Sequence, residues 1–363
     1  MAQALTERLP GADVHCVDVL DHTPSWFRAF YAWSYLFLVR YLPQIWRVSY
    51  HVLDWAPVYR LVQPLRRRWN LWIARPFVTW LTVSRPDLVV VTHFLAADVC
   101  SAGKADGWLS ASLVVVVTDL HPHRFWISTE PDAIVVATPE SATVLTGQGI
   151  TNDRIHVLGI PIGSGFTTSY ERREVERMFG LVPERRTVLL TSGGTTVGPF
   201  ERVAEVLLQL EAALPARLQL LVVCGDNAAA VRRLQARARR SPMPMQVFEF
   251  IETMPQAMAA SDLIVAKAGG LTITEALGRG VPLILYHVIP GQEQLNAEYT
   301  VRQGAALIAH HPGEVATAVR HLFEDPSRLE ALRAAAQAIS RPHAAGDIVS
   351  QVLQPLLDRR SHA

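Results

Sequence analysis

The chain has 363 residues, of which 50% are hydrophobic, and its 34 basic and 33 acidic residues leave a net charge of +1. This length suits two domains with large cores, and a charge near zero excludes a general attraction to nucleic acid. The three cysteines, Cys16, Cys100 and Cys224, are far apart, which favours a reducing compartment over a disulfide or zinc framework. The first residues predict a helix and not a signal peptide, and no apolar run reaches the roughly 18 residues of a membrane span.

After this first helix, residues 14–20 are predicted to form a β-strand. A doubly wound domain normally opens with a strand and a Gly-rich turn before its first helix. We therefore expect the first strand and loop of this domain to be missing from the chain. Either the start of the chain lies further upstream, or the protein lacks that part of its site.

The segment from Trp26 to Trp80 is aromatic and basic, with seven of the nine tryptophans, eight arginines and a single acid, Asp54. Trp and Tyr favour the headgroup level of a bilayer, and each arginine near anionic lipid contributes about 1 kcal/mol. The segment therefore predicts peripheral binding to an anionic membrane surface, with Arg66 to Arg68 taking part. The alternative is a pair of buried helices whose aromatic side chains are core.

Short β-branched runs recur along the chain, each followed by a turn and a helical pattern. The further predicted strands are residues 88–92, 114–118, 133–137, 187–191, 218–224, 247–251, 263–266 and 283–286. Continuous apolar runs are typical of parallel strands covered on both faces. We therefore expect an α/β protein of two Rossmann-like domains, residues 1–165 and 166–344, which face a cleft. A last helix in 345–363 is expected to pack back on the first domain.

Polar residues follow two strands of the first half, at the edge where such folds bind ligands. His93 follows the strand at 88–92, and Asp119, His121 and His123 follow the strand at 114–118. Each of them is a candidate general base, although Asp119 could instead cap a helix.

Two glycine-bearing turns follow strands of the second half. Their residues are Ser192, Gly193 and Gly194 in TSGGTTVG, and Gly269, Gly270, Leu271, Thr272 and Glu275 in AKAGGLTITEAL. Paired glycines let backbone N–H groups approach a diphosphate, and a helix N-terminus adds a favourable dipole. Glu275 suits the two hydroxyls of a ribose, although Thr272 and Glu275 also have the spacing of a helix capping box.

Two further segments suit the rest of a UDP-sugar. Gln292 and Glu293 follow the strand at 283–286, and adjacent amide and carboxylate groups match the hydroxyls of a sugar. The backbone near Phe250 and Ile251 suits the edge of a uracil ring. Lys267, one of only two lysines in the chain, precedes the second glycine turn.

The order of these motifs resembles glycosyltransferase family 28. SGG, VCGDN, FIETMPQAMAASD, KAGGLTITEAL and PLILYHVIPGQEQLNA are similar to its carboxyl-terminal domain. RPDLVVVTHF, VVVVTDLHPHRFW and VVATPESATVLTGQGITNDRIHVLGIPI resemble the amino-terminal domain of its diacylglycerol glucosyl- and galactosyltransferase branch. The resemblance implies a GT-B fold, an inverting mechanism and no metal or other cofactor. It also implies transfer of a hexose from a UDP-sugar to diacylglycerol or a glycosyl-diacylglycerol, at the cytoplasmic face of the membrane.

The resemblance also assigns roles to individual residues. Ser192 to Gly194 and Gly269 to Thr272 would contact the diphosphate, Ile251 the uracil, Glu275 the ribose, and Gln292 with Glu293 the donor sugar. Asp119 and His123, with Trp126, match a TD…H..W segment, and His93 matches a TH pair. These three, Asp119, His123 and His93, are the candidate catalytic residues, whereas His121 is expected at the surface.

Two alternatives stay open. A murein-type enzyme would transfer N-acetylglucosamine from its UDP-sugar to a polyprenyl-linked acceptor. A catalytically impaired homologue would bind UDP-sugar without turnover, because the family's Gly-rich loop, which ends in a histidine, is missing before Met1. The sequence does not distinguish a glucose donor from a galactose donor.

Overall fold

The computed structural model describes residues 1–193, 198–214 and 216–361, apart from the side chains of Ala32 and Ser361. The chain forms two compact units. The first contains Met1–Pro161, Pro290–Gln292 and the residues from His343 onward, and the second contains Ile162–Ile289 and Glu293–Pro342.

The first unit contains a parallel sheet with the strand order β1-β2-β3-β4. Its strands are β1 (Leu88–Val91), β2 (Ser112–Val116), β3 (Ala133–Val136) and β4 (Ile155–Val157). Its first seven helices are α1 (Ala2–Arg8), α2 (Ser25–Tyr41), α3 (Pro43–Asp54), α4 (Ala56–Ile73), α5 (Arg75–Ser84), α6 (Phe94–Ala105) and α7 (Pro139–Thr146). Because β1 and β2 are neighbours, His93 and Asp119 follow adjacent strands at the same edge of this sheet.

The second unit contains a parallel sheet with the strand order β10-β9-β8-β5-β6-β7. Its strands are β5 (Arg186–Thr191), β6 (Leu218–Val223), β7 (Met245–Phe248), β8 (Leu263–Ala266), β9 (Leu283–Tyr286) and β10 (Ala306–Ala309). Its helices are α8 (Arg172–Met178), α9 (Phe200–Leu208), α10 (Ala228–Ala238), α11 (Met254–Ala259), α12 (Gly270–Gly278), α13 (Gln292–Arg302), α14 (Pro312–Glu324) and α15 (Pro326–Ile339). The first residue of α13, Gln292, is grouped with the first unit. The neighbouring strands β5, β8 and β9 bring the turns that follow them to one edge of this sheet.

Both faces of the first sheet are covered, which explains its continuous apolar strands. Leu113 and Val115 point into a core shared with α5 and α6, whereas Val114 and Val116 point to the opposite face. The end of the chain covers that opposite face with α16 (Ala344–Ile348), a π-helical segment (Val349–Leu353) and α17 (Gln354–Ser361). The buried side chains from this end are Ile348, Val349, Val352 and Leu353.

The predicted strand at residues 14–20 is wrong. Residues 14–18 have no regular structure, and Val19–His22 forms a 3₁₀ helix in which Asp18 accepts the Leu20 N–H at 2.9 Å. Only Val19 of the three valines in this stretch is buried, so the β-branched run that suggests a strand has no sheet to pair with. The sequence also missed the short edge strands β4 and β10.

Proline divides the segment from Trp26 to Trp80 into the separate helices α2 to α5. Pro43, Pro57 and Pro76 each lie in the first turn of α3, α4 or α5. Proline is favoured there because it lacks a backbone N–H that would be unpaired in any case. Among the helices of the described residues, none combines the length and the apolar composition that crossing a membrane requires.

Candidate functional site

Among the described residues, no side chain caps the N-terminus of α12, which follows the turn after β8. Gly269 is the N-cap residue and has no capping side chain, and the helical bonding begins with Ile273 N–H donating to the Gly269 carbonyl at 3.0 Å. The N–H groups of Gly270, Leu271 and Thr272 therefore lack an acceptor within the helix. Three such amides, together with the helix dipole, form an anion site of the kind that holds a phosphate group.

The capping box suggested by Thr272 and Glu275 does not form. Because α12 begins at Gly270, Thr272 is the third residue of the helix and not its cap. Thr274 in the same turn donates its hydroxyl to the Gly270 carbonyl at 2.8 Å. The structural alternative for this pair is therefore excluded.

Glu275 has a half-buried carboxyl group with no hydrogen-bond or ionic partner in the part of the chain that the structure describes. Burial raises the pKa of this carboxyl to about 7. A carboxyl group removed from water without a partner is costly. The site is thus suited to a ligand that supplies hydroxyl donors.

The turn after β5 is only partly described. Ser192 is buried, and the Gly193 N–H donates to the Thr191 hydroxyl at 3.3 Å. Gly194, assigned to the diphosphate by sequence, lies outside the described residues. The next described residue is Gly198, where φ is +97° and an added Cβ would collide with the ring of His287. Glycine is therefore required at the end of this turn.

Lys267 and His287 form a polar cluster with Glu293 at the same edge of the second sheet. Burial lowers the pKa of Lys267, and the nearby Glu293 carboxylate opposes this shift. Burial and the Lys267 charge both lower the pKa of His287. The sequence analysis missed His287, although its position directly after β9 was the same signal that singled out the other polar residues. Glu293 itself accepts the Ile289 N–H at 3.2 Å.

Ile251 lies between β7 and α11 and is half-buried. The strand before it ends at Phe248, three residues earlier than expected. Phe250 is exposed. The candidate uracil-binding backbone is therefore a loop at the end of the sheet and not a strand.

In the first unit, Gln292 is joined to Asp119. The Gln292 Nε2 donates to Asp119 Oδ1 at 2.5 Å, and Asp119 is only 5% exposed. The short helix after β2 has His123 as its N-cap residue, so Asp119 does not cap it. A residue predicted to activate the acceptor, Asp119, is thus hydrogen-bonded to a residue predicted to bind the donor sugar, Gln292.

Both ring nitrogens of His123 are used by the backbone. Nδ1 accepts the Phe125 N–H at 3.1 Å, and Nε2 lies 3.1 Å from the carbonyl oxygen of Tyr50. A carbonyl only accepts, so Nε2 carries the proton. Burial lowers the pKa of His123, and the bond to Tyr50 and the charge of Asp54 partly oppose this. The neutral ring therefore has no lone pair left for a substrate hydroxyl in this arrangement.

His93 is likewise part of the local framework. It is the N-cap residue of α6, with Nδ1 accepting the Leu95 N–H at 3.2 Å and Nε2 lying 3.4 Å from the Tyr31 hydroxyl. Burial lowers the pKa of His93, and Asp18 opposes this shift. His121 is half-buried, although the sequence placed it at the surface.

Many aromatic side chains in α2 to α4 are exposed, which contradicts the alternative of two buried helices. Trp33 is 59% exposed and Trp55 is 62% exposed. Exposed large side chains in these helices also include Trp26, Phe30, Tyr41, Ile45, Val48, Leu61, Leu65, Trp69 and Trp72. An exposed apolar surface of this extent marks an interaction site.

The arginines of this segment divide into two groups. Arg28 pairs with Asp21, Arg66 with Asp98 at 2.8 Å and Arg67 with Asp106 at 2.6 Å. Two of the three consecutive arginines are therefore held in ion pairs and are not available to a partner. The exposed arginines without an ion pair within the described ranges are Arg40, Arg47, Arg60, Arg68 and Arg75.

A group of three or more His, Cys, Asp or Glu side chains placed to hold a metal ion is not found among residues 1–193, 198–214 and 216–361.

The two halves of the chain match two known protein families. Residues 1–162 match the family model of monogalactosyldiacylglycerol (MGDG) synthase, and residues 187–348 match that of the glycosyltransferase family 28 C-terminal domain. A processive diacylglycerol beta-glucosyltransferase from Bacillus mycoides is 32% identical over 276 residues, which are 76% of this chain and 69% of that protein.

Two solved structures show the same fold. MurG from Acinetobacter baumannii has a TM-score of 0.57 at 18% identity and covers 78% of each chain. HepE from Anabaena, in complex with UDP-glucose, has a TM-score of 0.51 at 17% identity and covers 79% of this chain and 82% of its own. The predicted GT-B fold class is confirmed, and the protein is a glycosyltransferase of that class. The chain belongs to glycosyltransferase family 28, in its diacylglycerol glycosyltransferase branch.

Proposed function

We propose that this protein moves a hexose from a UDP-sugar to diacylglycerol or a glycosyl-diacylglycerol at an anionic membrane surface, with inversion at the anomeric carbon. The observation that carries the proposal is the Glu275 carboxyl, which has no partner among the described residues and lies about one helical turn from the N-terminus of α12. Diphosphate and ribose are the two parts of UDP that require such a pair of sites.

The leaving group would be stabilised by α12. As the bond to the sugar breaks, negative charge develops on the diphosphate. The amides of Gly270, Leu271 and Thr272 would point at that charge without reorganisation, which makes such dipoles effective in a transition state. No metal ion is part of this proposal, because the amides and Lys267 supply the positive potential.

We propose Asp119 as the base that takes the proton of the acceptor hydroxyl. The two histidines considered with it, His123 and His93, have both ring nitrogens in contact with backbone or tyrosine groups. They would therefore orient the loop ends that carry the acceptor site. Gln292 would hold the Asp119 carboxylate through its amide and use its carbonyl oxygen toward the donor sugar.

The outer faces of α2 to α4 would bring the enzyme to its lipid acceptor. Their exposed tryptophans match the headgroup region, and five unpaired arginines would be attracted to anionic lipid at about 1 kcal/mol each. We place the protein at the cytoplasmic face of the membrane, which is supported by its three free cysteines.

The test is a donor panel with the purified protein. UDP-glucose, UDP-galactose and UDP-N-acetylglucosamine would be incubated with vesicles of phosphatidylglycerol that contain diacylglycerol, and the lipid products would be separated and quantified. Transfer of glucose or galactose supports the proposal. Transfer of N-acetylglucosamine to a polyprenyl-linked acceptor alone would favour the murein-type enzyme, and UDP binding without product from any donor would indicate an impaired homologue.

A further inference from the structure

Helix α3 has two chemically different faces. Ile45, Val48 and Val52 recur at helical spacing and are all exposed, as is Trp55 directly after the helix. The opposite face carries Trp46, Tyr50 and Asp54, at intervals of four residues. Tyr50 is 9% exposed. It lies on the inner face of α3 and contacts His123 and Gly291.

The inner face of α3 holds the loop that follows β2. The Tyr50 carbonyl accepts the Nε2–H of His123 at 3.1 Å, and the two rings lie 4.4 Å apart between centroids. One turn further on, the Asp54 carboxylate accepts the Arg124 N–H at 2.8 Å. The loop between Asp119 and Arg124 is therefore anchored to this helix at two successive residues.

The ring of Tyr50 also lies against the turn that carries Gln292. Gly291 has φ +93°, in the left-handed region that favours glycine. A Cβ atom at Gly291 would lie 2.9 Å from Cγ of Tyr50, so the ring leaves no room for one. The next residue, Gln292, donates its side-chain amide to Asp119. All four residues belong to the first unit.

We propose that Tyr50 is a positioning residue for the Asp119–Gln292 pair. Its ring packs against two segments, the loop that carries His123 and the turn that carries Gln292. The aromatic ring sets the separation of these segments, and hence the 2.5 Å bond between the amide and the carboxylate. The Tyr50 hydroxyl has no hydrogen-bond partner within the described residues, although burial, together with the Asp119 charge, raises its pKa. We assign the positioning role to the ring because the ring makes both contacts. The catalytic meaning of the inference rests on the proposed function.

The first experiment compares Tyr50→Phe and Tyr50→Leu in the transfer assay with UDP-hexose and diacylglycerol vesicles. Tyr50→Phe keeps the ring and is expected to retain kcat within about twofold, whereas Tyr50→Leu is expected to lower kcat by about tenfold or more, since small displacements of reacting groups are costly. The Kd of UDP should stay within about twofold in both variants, because the nucleotide contacts lie in the second unit.

Two further variants separate positioning from general packing. Trp46→Leu removes another half-buried ring from the same helix, 6.3 Å from the Tyr50 ring, and is expected to leave kcat within about twofold. If Tyr50 acts through the pair, Tyr50→Leu should slow a Gln292→Leu enzyme by no more than about twofold, as expected for residues acting through one contact. An equal loss in Trp46→Leu, or independent losses in the double variant, would overturn the proposal.

Hydrogen exchange tests the positioning role even if the protein shows no transfer activity. Hydrogen exchange of the peptide around Gln292 should be faster in Tyr50→Leu than in Tyr50→Phe, while exchange in β6 stays unchanged. Gly291→Ala, which adds a Cβ against the same ring, should accelerate exchange in the same peptide and serves if Tyr50→Leu does not fold. Unchanged exchange in the folded variants contradicts the positioning role, whereas faster exchange without any transfer contradicts only the proposed function.

Discussion

Asp54 accepts the backbone N–H of Arg124 at 2.8 Å, across a separation of 70 residues in the chain. Asp54 is the single acid between Trp26 and Trp80, and this bond directs its carboxylate toward the loop after β2. The Asp54 carboxylate therefore faces the inner side of α3 and not the exposed arginines. The exposed arginines of the segment keep their positive charge without an acidic neighbour from the same segment.

From this charge distribution we expect salt-sensitive binding to anionic vesicles. Replacing Arg40, Arg47 and Arg68 together by Gln should weaken binding to phosphatidylglycerol vesicles by about 3 kcal/mol, or roughly 100-fold, since each cation near the surface contributes about 1 kcal/mol. Vesicle sedimentation at increasing salt measures this effect. A matched control replaces Arg232, Arg239 and Arg240, which are exposed in the second unit. Equal losses in the two triple variants would contradict a specific surface on α2 to α4.

Asp119→Asn tests the proposed base. The amide keeps the shape of the side chain but cannot take a proton, so kcat should fall by a factor of about 10² to 10⁴. The Kd of UDP, measured by titration calorimetry, should not change. Asp106→Asn, at the exposed end of α6, is the control and should retain activity. Full activity of Asp119→Asn would assign proton removal to another group.

Glu275 predicts a pH dependence of nucleotide binding. The pKa of its carboxyl is about 7 in the unliganded protein, and an ionised carboxylate accepts two hydroxyl hydrogen bonds better than the acid does. UDP should therefore bind more tightly as the pH rises through about 7. Glu275→Gln should bind UDP more weakly and lose this dependence. The same slope in the variant would show that another group titrates.

The same carboxyl affects folding stability with a defined sign. Its pKa is raised from 4.5 to about 7 in the folded state, so its contribution is complete below pH 4.5 and is lost as the pH rises through 7. The loss amounts to about 3 kcal/mol, because one pKa unit corresponds to about 1.4 kcal/mol. Urea unfolding of the protein without UDP should show this decline, and Glu275→Gln should remove it.

Asp262 is expected to be a major determinant of stability in the second unit. Its buried carboxylate accepts bonds from Arg172 at 2.9 Å, from Arg186 at 2.8 Å and from the Thr187 N–H at 2.8 Å. Asp262→Ala should lower the free energy of unfolding by about 1 to 3 kcal/mol, because it leaves the buried Thr187 N–H unpaired, whereas water can solvate the half-exposed Arg172 and Arg186.

The control for Asp262 is an exposed ion pair. Glu201 pairs with Arg233 at 2.6 Å in a largely exposed position, and Glu201→Ala should cost less than about 1 kcal/mol. Urea unfolding of both variants gives the comparison. Similar losses would mean that burial of Asp262 does not determine its contribution.

Most strands could be predicted because their signal is local. Parallel strands with both faces covered require continuous apolar runs, and the run LVVV, present in both β1 and β2, leaves few alternatives. The prediction of a strand at residues 14–20 was wrong because a β-branched run does not reveal whether a neighbouring strand exists to pair with it. The strands β4 and β10 were missed because short edge strands carry little pattern of their own.

The candidate site was predictable only where the residue types themselves carry the chemistry. The glycines before α12 and the acid Glu275 could be identified from their spacing, yet the sequence left the capping box open, and only the start of α12 at Gly270 resolved it. Tyr50 gave no signal, since one tyrosine in an aromatic helix resembles its neighbours. Its importance depends on Gly291, which lies more than two hundred positions away along the chain and meets it only after folding.

The covering of the first sheet by the end of the chain has a consequence for synthesis on the ribosome. While the second unit is being translated, the face formed by Val114 and Val116 lacks its C-terminal layer. The first unit can complete its core only when the residues from His343 onward have left the exit tunnel. Until then the nascent chain exposes a valine-rich surface, which is the kind of surface that chaperones recognise.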